Sequence, residues 1–141
     1  MHSLIAAKLR SRADQLLQGR IDALLDGYIF PLPVFTPDRR MLLSSPEQAT
    51  VVLTLLRNRL LRSGVVALQP QVRAVELPRA GRFRIWVDWQ ERIMPADETR
   101  LSTAIYYLRV TDLGPRIEMV NYTHLSTPEL SEEFEALALS A

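Results

Sequence analysis

The sequence predicts an α+β fold in which a cone-shaped, curved antiparallel sheet packs against N-terminal helices. Before residue 64, apolar residues recur at three- and four-residue steps, which is typical of helices with one buried face. From residue 65 onward the apolar residues alternate at every second position, as they do in strands with one buried face. The turns PRAG, PADE and DLGP interrupt this second half, which indicates four long strands joined as a meander.

The first helix is predicted over residues 3–26, and Gly27 ends it. Its apolar face consists of Leu9, Ala13, Leu16, Leu17, Ile21, Leu24 and Leu25. The segment YIFPLPVF, residues 28–35, follows directly and combines two prolines with three aromatic rings. Because proline excludes helix and favours extended backbone before it, we expect an extended corner here. Its rings would cover one wall of a cavity.

A second helix is predicted from Ser45 to Gly64. Ser45 suits the N-cap, Pro46 suits the first helical position, and Gln48 completes a capping box. Three arginines lie near the end of this helix, where positive charge complements the negative end of the helix dipole. These are Arg57, Arg59 and Arg62.

The four strands are predicted over residues 66–77, 82–94, 99–111 and 116–125, with a short additional strand near 40–43. The tail, residues 128–141, carries apolar residues on one face and glutamates on the others. It predicts a short acidic amphipathic helix or a frayed end. The whole chain, residues 1–141, fits a single domain.

Composition excludes several classes of function. The net charge of +1 gives no field that favours nucleic acid or membrane, and no apolar run approaches the length of about 20 residues of a membrane helix. The absence of cysteine excludes disulfides, thiol catalysis and Cys-ligated zinc, and it fits a reducing compartment. We therefore expect a cytoplasmic protein. All basic residues but Lys8 are arginine, which indicates a GC-rich, bacterial genome.

The segments DGYIFPLPVF, SSPEQA, RFRIWVDWQER and STAIYYLRVTDLGPRIEMVNYTHLS together resemble the nuclear-transport-factor-2-like superfamily. This superfamily includes ketosteroid isomerase, scytalone dehydratase and polyketide-cyclase-like proteins. The resemblance implies a cystatin-like α+β cone and a homodimer that packs the outer face of its sheet. It also implies a cone interior that holds a small apolar ligand. The fold hosts enzymes, binding modules and dimerisation domains, so the resemblance leaves the function open.

Side-chain alternation along the strands predicts which residues face the cone. We expect an inner lining of Trp89, Tyr107, Met119, Asn121 and Thr123, which Tyr28, Phe30 and Phe35 close from the proline corner. The alternation of residues 99–111 fits either face, and a bulge would shift the pattern partway along a strand. Arg109 ends the inner set, where it would hold a ligand carboxylate or lie at a solvated strand end.

The opposite face mixes aromatic residues with charges of both signs, which is typical of a dimer interface. Its expected members are Arg84, Trp86, Asp88, Tyr106, Glu118, Val120 and Tyr122. The alternative is an ordinary outer face on which arginines pair with acidic residues across strands.

Catalysis in such a cone would need a buried base, and the expected inner set contains no carboxylate. The candidates nearest to the cone are Asp26, Asp38 and His124. Each also has a structural interpretation. Asp26 would lie at a helix end, Asp38 in a turn after Pro37, and His124 at an exposed strand end. The two histidines lie far apart, so we expect no metal site and no cofactor.

The sequence therefore predicts a non-catalytic homodimeric domain whose cone binds a small, mostly apolar ligand. Its partners would be a second copy of itself and that small molecule, with neither nucleic acid nor membrane. One alternative is an isomerase, dehydratase or cyclase that uses a carboxylate or histidine with a tyrosine. The other is a pure dimerisation domain whose cone is filled by its own side chains.

Overall fold

Helices and strands follow one another in the order that the sequence predicts, and the computed structural model describes them over residues 2–126. The helices are α1 (His2–Leu17), α2 (Ile21–Leu25) and α3 (Pro46–Arg62). The strands are β1 (Leu32–Phe35), β2 (Arg40–Leu43), β3 (Val65–Val75), β4 (Arg82–Ile93), β5 (Glu98–Thr111) and β6 (Gly114–His124). The helix expected over residues 128–141 lies outside the described residues.

The expectation of one continuous helix over residues 3–26 is wrong, because the chain turns between α1 and α2. Gly19 has φ of 79°, a left-handed conformation that glycine adopts at little cost. Arg57 of α3 donates its Nε–H to the Leu17 carbonyl at 3.1 Å and so satisfies a free carbonyl at the end of α1. The turn lets Ile21 and Leu24 of α2 join Ala13 of α1 in the same buried cluster.

The start of α3 confirms its sequence prediction. Ser45 Oγ accepts the Gln48 amide at 3.3 Å. The Gln48 side chain reaches back to the Ser44 amide at 2.8 Å, one residue earlier than in the usual capping box. Two otherwise free donors at the helix N-terminus are thereby satisfied.

The described strands form one six-stranded, curved sheet in the order β2-β1-β6-β5-β4-β3. Neighbouring strands are antiparallel except β1 and β6, which are parallel. The proline corner leads into β1 along the edge of β6, since the Ile29 amide donates to the Ile117 carbonyl at 2.8 Å. The α+β class and the four long strands are as predicted. No helix among residues 2–126 is long and apolar enough to cross a membrane.

A bulge in β6 decides which of its side chains face the helices. Tyr107 of β5 pairs with Met119, whereas the next residue, Leu108, pairs with Ile117, so Glu118 is an extra residue in β6. Ile117 faces the helices and is buried. Because Glu118 is an extra residue, the next side chain that faces the helices is that of Val120 and not that of Met119. Odd-numbered residues therefore face the helices before the bulge, and even-numbered residues face them after it.

Candidate functional site

A cavity of about 120 Å³ lies between the helices α1, α2 and α3 and the inner face of the sheet. Most of its wall is aliphatic and comes from these helices, from β3 and β6, and from the end of the described chain. These side chains are Leu9, Ala13, Leu16, Leu24, Leu53, Leu56, Leu60, Leu68, Ile117 and Leu125. The remaining wall is polar or aromatic and consists of Arg12, Tyr28, Trp89, Glu91, Ser102, Tyr106 and Tyr122.

A tryptophan and two tyrosines line the sheet side of the cavity. Trp89 donates its Nε1–H to the Tyr106 hydroxyl at 2.8 Å. Burial raises the pKa of Tyr106 and of Tyr122 well above their ordinary value. Both phenols therefore stay neutral at physiological pH. Because Tyr106 accepts the bond from Trp89, its own O–H remains as a donor for another group.

Glu91 places a carboxylate in this mostly aliphatic wall. The residue is only 6% exposed. Ser102 Oγ donates to Glu91 Oε2 at 3.2 Å, and Ser126 Oγ donates to Glu91 Oε1. The Ser126 amide donates to Ser102 Oγ at 3.0 Å, so the three residues form one network. Within residues 2–126, no arginine, lysine or histidine forms an ion pair with Glu91.

Arg12 brings a positive charge to the helix side of the cavity. Its guanidinium lies 4.8 Å from the centre of the Tyr28 ring, and it donates to the Leu24 carbonyl at 3.3 Å. Gly27 makes this position possible, because a Cβ there would lie 2.2 Å from Arg12 Nη1. The cavity therefore carries one acidic and one basic side chain, together with neutral donors.

Some of the predicted lining residues do line the cavity. Tyr28 and Trp89 both face it. Phe30 packs against a buried cluster that includes Leu32 and Val34, with its ring centre 6.2 Å from that of Tyr28, and it is not part of the cavity wall. Phe35 pairs with Asn121 on the outer face of the sheet, so its predicted place in the wall is wrong.

The other predicted lining residues lie on the outer face, and the bulge at Glu118 explains why. Tyr107 pairs with Met119, and Asn121 pairs with Ile105 on the face opposite to Tyr106. Thr123 is exposed at a second register shift near the end of β6. Arg109 is also outside the cavity, where its Nε lies 3.3 Å from Glu118 Oε2. The predictions that Tyr107, Met119, Asn121, Thr123 and Arg109 face the cone are therefore wrong.

The same shift corrects the predicted outer face. Tyr106, Val120 and Tyr122 belong to the interior, where Tyr106 and Tyr122 line the cavity and Val120 is buried. Three residues of β4 do lie on the outer face of the sheet, as expected: Arg84, Trp86 and Asp88. Their cross-strand partners on β5 are Tyr107, Ile105 and Thr103, respectively. Glu118, at the bulge, forms ion pairs with Arg82 and Arg109.

None of the three predicted catalytic candidates lies in the cavity wall. Asp26 caps the end of α2, Asp38 lies in the turn between β1 and β2, and His124 ends β6. All three are exposed. Their structural interpretations therefore fit this geometry better than a role as a buried base.

The sequence analysis missed Glu91, although the signal for it was present. The alternation on β4 runs from Phe83 through Trp89, and two further residues bring it to Glu91 on the same face. The expectation of an interior without a carboxylate is wrong for this reason. Arg12 has no comparable signal, since only the packing of α1 on Tyr28 reveals its position. Among residues 2–126, no group of three or more acidic residues or histidines is arranged to hold a metal ion.

No protein-family profile and no curated protein sequence matches the chain. Solved structures do match. A Nostoc punctiforme domain of unknown function with a cystatin-like fold is 18% identical, with a TM-score of 0.69 over 95% of this chain and 83% of the other. A Shewanella oneidensis NTF-2 like protein of unknown function is 12% identical, with a TM-score of 0.65 over 84% and 95%.

A ketosteroid isomerase-like protein from Erwinia carotovora atroseptica is 11% identical, with a TM-score of 0.61 over 89% of this chain and 97% of the other. At such identities the similarity concerns the fold and carries no information about substrate or reaction. The sheet order, the packing of helices on its inner face and these similarities agree. The chain thus has the nuclear-transport-factor-2-like, cystatin-like fold that its sequence pattern predicts.

Proposed function

We propose that the cavity binds a small, mostly apolar molecule that carries a hydrogen-bonding group. The observation that carries this proposal is Glu91, a buried carboxylate in an aliphatic wall. Burial of a carboxyl group without a paired cation is costly, and such groups occur at ligand-binding and catalytic sites as well as in structural networks. The Ser102 and Ser126 hydroxyls offset only part of this cost, because they are neutral donors.

The volume of the cavity limits the size of its ligand. An apolar cavity of about 150 Å³ in another protein binds benzene. A cavity of about 120 Å³ therefore suits a single ring or a short branched chain. Tyr106 O–H and the Arg12 guanidinium offer donors to a ligand oxygen, and Glu91 offers acceptors to an O–H or N–H group.

Phenol is a suitable probe, because it combines one ring with one hydroxyl. Phenol should raise the melting temperature of the protein, and native mass spectrometry should detect one bound molecule per chain. Glu91→Gln should reduce the affinity at least fivefold, since the charge-assisted bond to the phenol hydroxyl is lost. Asp88→Asn on the outer face is the matched control and should leave the affinity unchanged. A Glu91→Gln variant that binds phenol as well as the unmodified protein would contradict the proposal.

A second candidate function is proton transfer, and it is supported by the burial of Glu91 in the same cavity wall as two neutral phenols, Tyr106 and Tyr122. Glu91 would take a proton from a carbon next to a carbonyl, while Tyr106 donates a hydrogen bond to the carbonyl oxygen. Return of the proton to another carbon completes an isomerisation. Loss of a hydroxyl group, which leaves as water with that proton, completes a dehydration instead. This candidate replaces the earlier choice of Asp26, Asp38 or His124.

The exchange of cyclohexanone α-hydrogens for deuterium in D₂O tests this second candidate. The protein should accelerate the exchange, as followed by proton NMR. Glu91→Gln should lower the rate of the protein-catalysed exchange by a factor of roughly 10² to 10⁴, which is the usual contribution of a positioned base. Asp38→Asn serves as the control and should leave the rate unchanged. No acceleration by the unmodified protein would leave the binding function as the better proposal.

We also propose that the outer face of the sheet pairs with a second copy of the chain. Arg84 lies 4.9 Å from the Trp86 ring centre and 6.0 Å from that of Tyr107, and its guanidinium is bound by Glu76. Charges of both signs lie around this aromatic centre, including the pair of Arg73 with Asp88. A face with an apolar centre and balanced charges is complementary to itself under two-fold symmetry.

A further inference from the structure

A second, smaller void of about 30 Å³ lies next to the cavity, beneath β1 and β2. Its own wall is entirely apolar and includes Leu32, Val34, Met41 and Val52. Four side chains line both spaces and therefore stand between them. These are Tyr28, Leu53, Leu56 and Tyr122.

Tyr122 is the one of these four side chains that comes from a long strand of the sheet. It projects inward from β6, where its residue pairs with Ala104 in the middle of the sheet. The strand therefore fixes the position from which its ring separates the two spaces. Leu53 and Leu56 come from α3, and the Tyr28 ring follows α2 and contacts Arg12.

We propose that Tyr122 is a specificity-determining residue that limits the length of the ligand. Its ring would close the end of the cavity, so that compact molecules fit and molecules with a linear apolar tail do not. A ring smaller than tyrosine at this position would join the two voids and admit such a tail toward Val34 and Met41. This inference rests on the proposed binding function, because it assigns the end of the same cavity.

The test measures the affinities of phenol, 4-ethylphenol and 4-butylphenol by isothermal titration calorimetry. The unmodified protein should prefer phenol to 4-butylphenol by at least tenfold. Tyr122→Ala should reverse this preference. Tyr122→Leu should shift the preference in the same direction, and it replaces the alanine variant in the test if that variant does not fold. Tyr122→Phe should keep the original preference, since its ring still separates the two voids. Tyr107→Ala, on the outer face, is the matched control.

The outcomes separate this inference from the proposed function. If phenol binds and neither Tyr122→Ala nor Tyr122→Leu shifts the preference, the role of Tyr122 is overturned while the binding function stands. If Tyr122→Phe shifts the preference between the phenols as much as Tyr122→Ala does, the role of the Tyr122 ring is also overturned. The hydroxyl, and not the ring, would then limit the length of the ligand. If none of the phenols binds the unmodified protein, both proposals fail.

Discussion

The indole N–H of Trp89 donates to the hydroxyl of Tyr106 at 2.8 Å, and this bond ties β4 to β5 inside the cavity. The two residues are not direct cross-strand partners, since Tyr106 pairs with Ile85 and Trp89 pairs with Ser102. Their long side chains lean toward each other over Val87 and Ala104, which are small and fully buried. The bond thus directs the Tyr106 hydroxyl to the middle of the cavity wall.

Tyr106→Phe should lower the free energy of unfolding by about 1–3 kcal/mol, because the indole N–H of Trp89 loses its acceptor inside the cavity. Urea denaturation measures this change. Tyr107→Phe removes a hydroxyl from the outer face and should change the stability by less than about 0.5 kcal/mol. Equal effects of the two variants would contradict the role of Tyr106 as the acceptor for Trp89.

Stability should fall at alkaline pH because burial raises the pKa of Tyr106 and Tyr122. In the unfolded chain these phenols ionise near pH 10, whereas in the folded chain they remain protonated. Above about pH 10 the unfolded state therefore binds fewer protons than the folded state, and the free energy of unfolding decreases as pH rises. Below pH 10 the two tyrosines contribute no pH dependence.

Urea unfolding between pH 8 and pH 11 tests this prediction. The double variant Tyr106→Phe and Tyr122→Phe should lose less stability over this range than the unmodified protein. Tyr107→Phe provides the comparison for an outer-face tyrosine. Identical slopes for the double variant and the unmodified protein would show that other groups cause the alkaline loss.

Glu91→Leu should separate stability from function. Leucine is close to glutamate in size and removes a buried carboxyl group that has no ion-pair partner among residues 2–126, and the Ser102 hydroxyl keeps its bond from the Ser126 amide. The free energy of unfolding should therefore stay equal or rise by about 1 kcal/mol. Phenol binding should nevertheless be lost. A loss of more than about 2 kcal/mol in thermal or urea unfolding would instead identify Glu91 as a structural anchor for Ser102 and Ser126.

Trp86→Glu should convert a dimer into a monomer, because it places a charge at the aromatic centre of the outer face. Sedimentation velocity at several concentrations measures the oligomeric state. Leu77→Glu, at a position that is 82% exposed beyond the end of β3, is the control and should leave the dimer intact. A monomer in the unmodified protein, or a dimer that survives Trp86→Glu, would contradict the proposed interface.

The predictions from sequence were most accurate where local rules act alone. Ser45 and Pro46 start α3 as expected, because capping depends on residues within one turn. The alternation that predicts Trp89 on the inner face agrees with the buried Ile85 and Val87 on the same strand, because β4 keeps its register with β5 from end to end. The same alternation, continued by two residues, leads to Glu91.

The predictions failed where a β-bulge gives one strand an extra residue relative to the neighbouring strand. Glu118 is such a residue, and its residue type does not distinguish it from any other outward-facing position on a strand. The bulge exchanges the faces of Met119 and Val120, so the alternation that puts Ile117 on the inner face no longer holds two residues later, at Met119. On β5, tyrosines at 106 and 107 fit either face by polarity, and only the pairing decides between them.

The sequence by itself determined the α+β class, the order of its elements and the similarity to the nuclear-transport-factor-2-like fold, since periodicity and turn residues are local properties. Only the tertiary structure decided which residues share the cavity. Arg12 and Glu91 come from the first helix and the fourth strand, and the register of β5 against β6 selects Tyr106 and Tyr122. That register depends on how the curved sheet packs on the helices, which is a property of the whole fold.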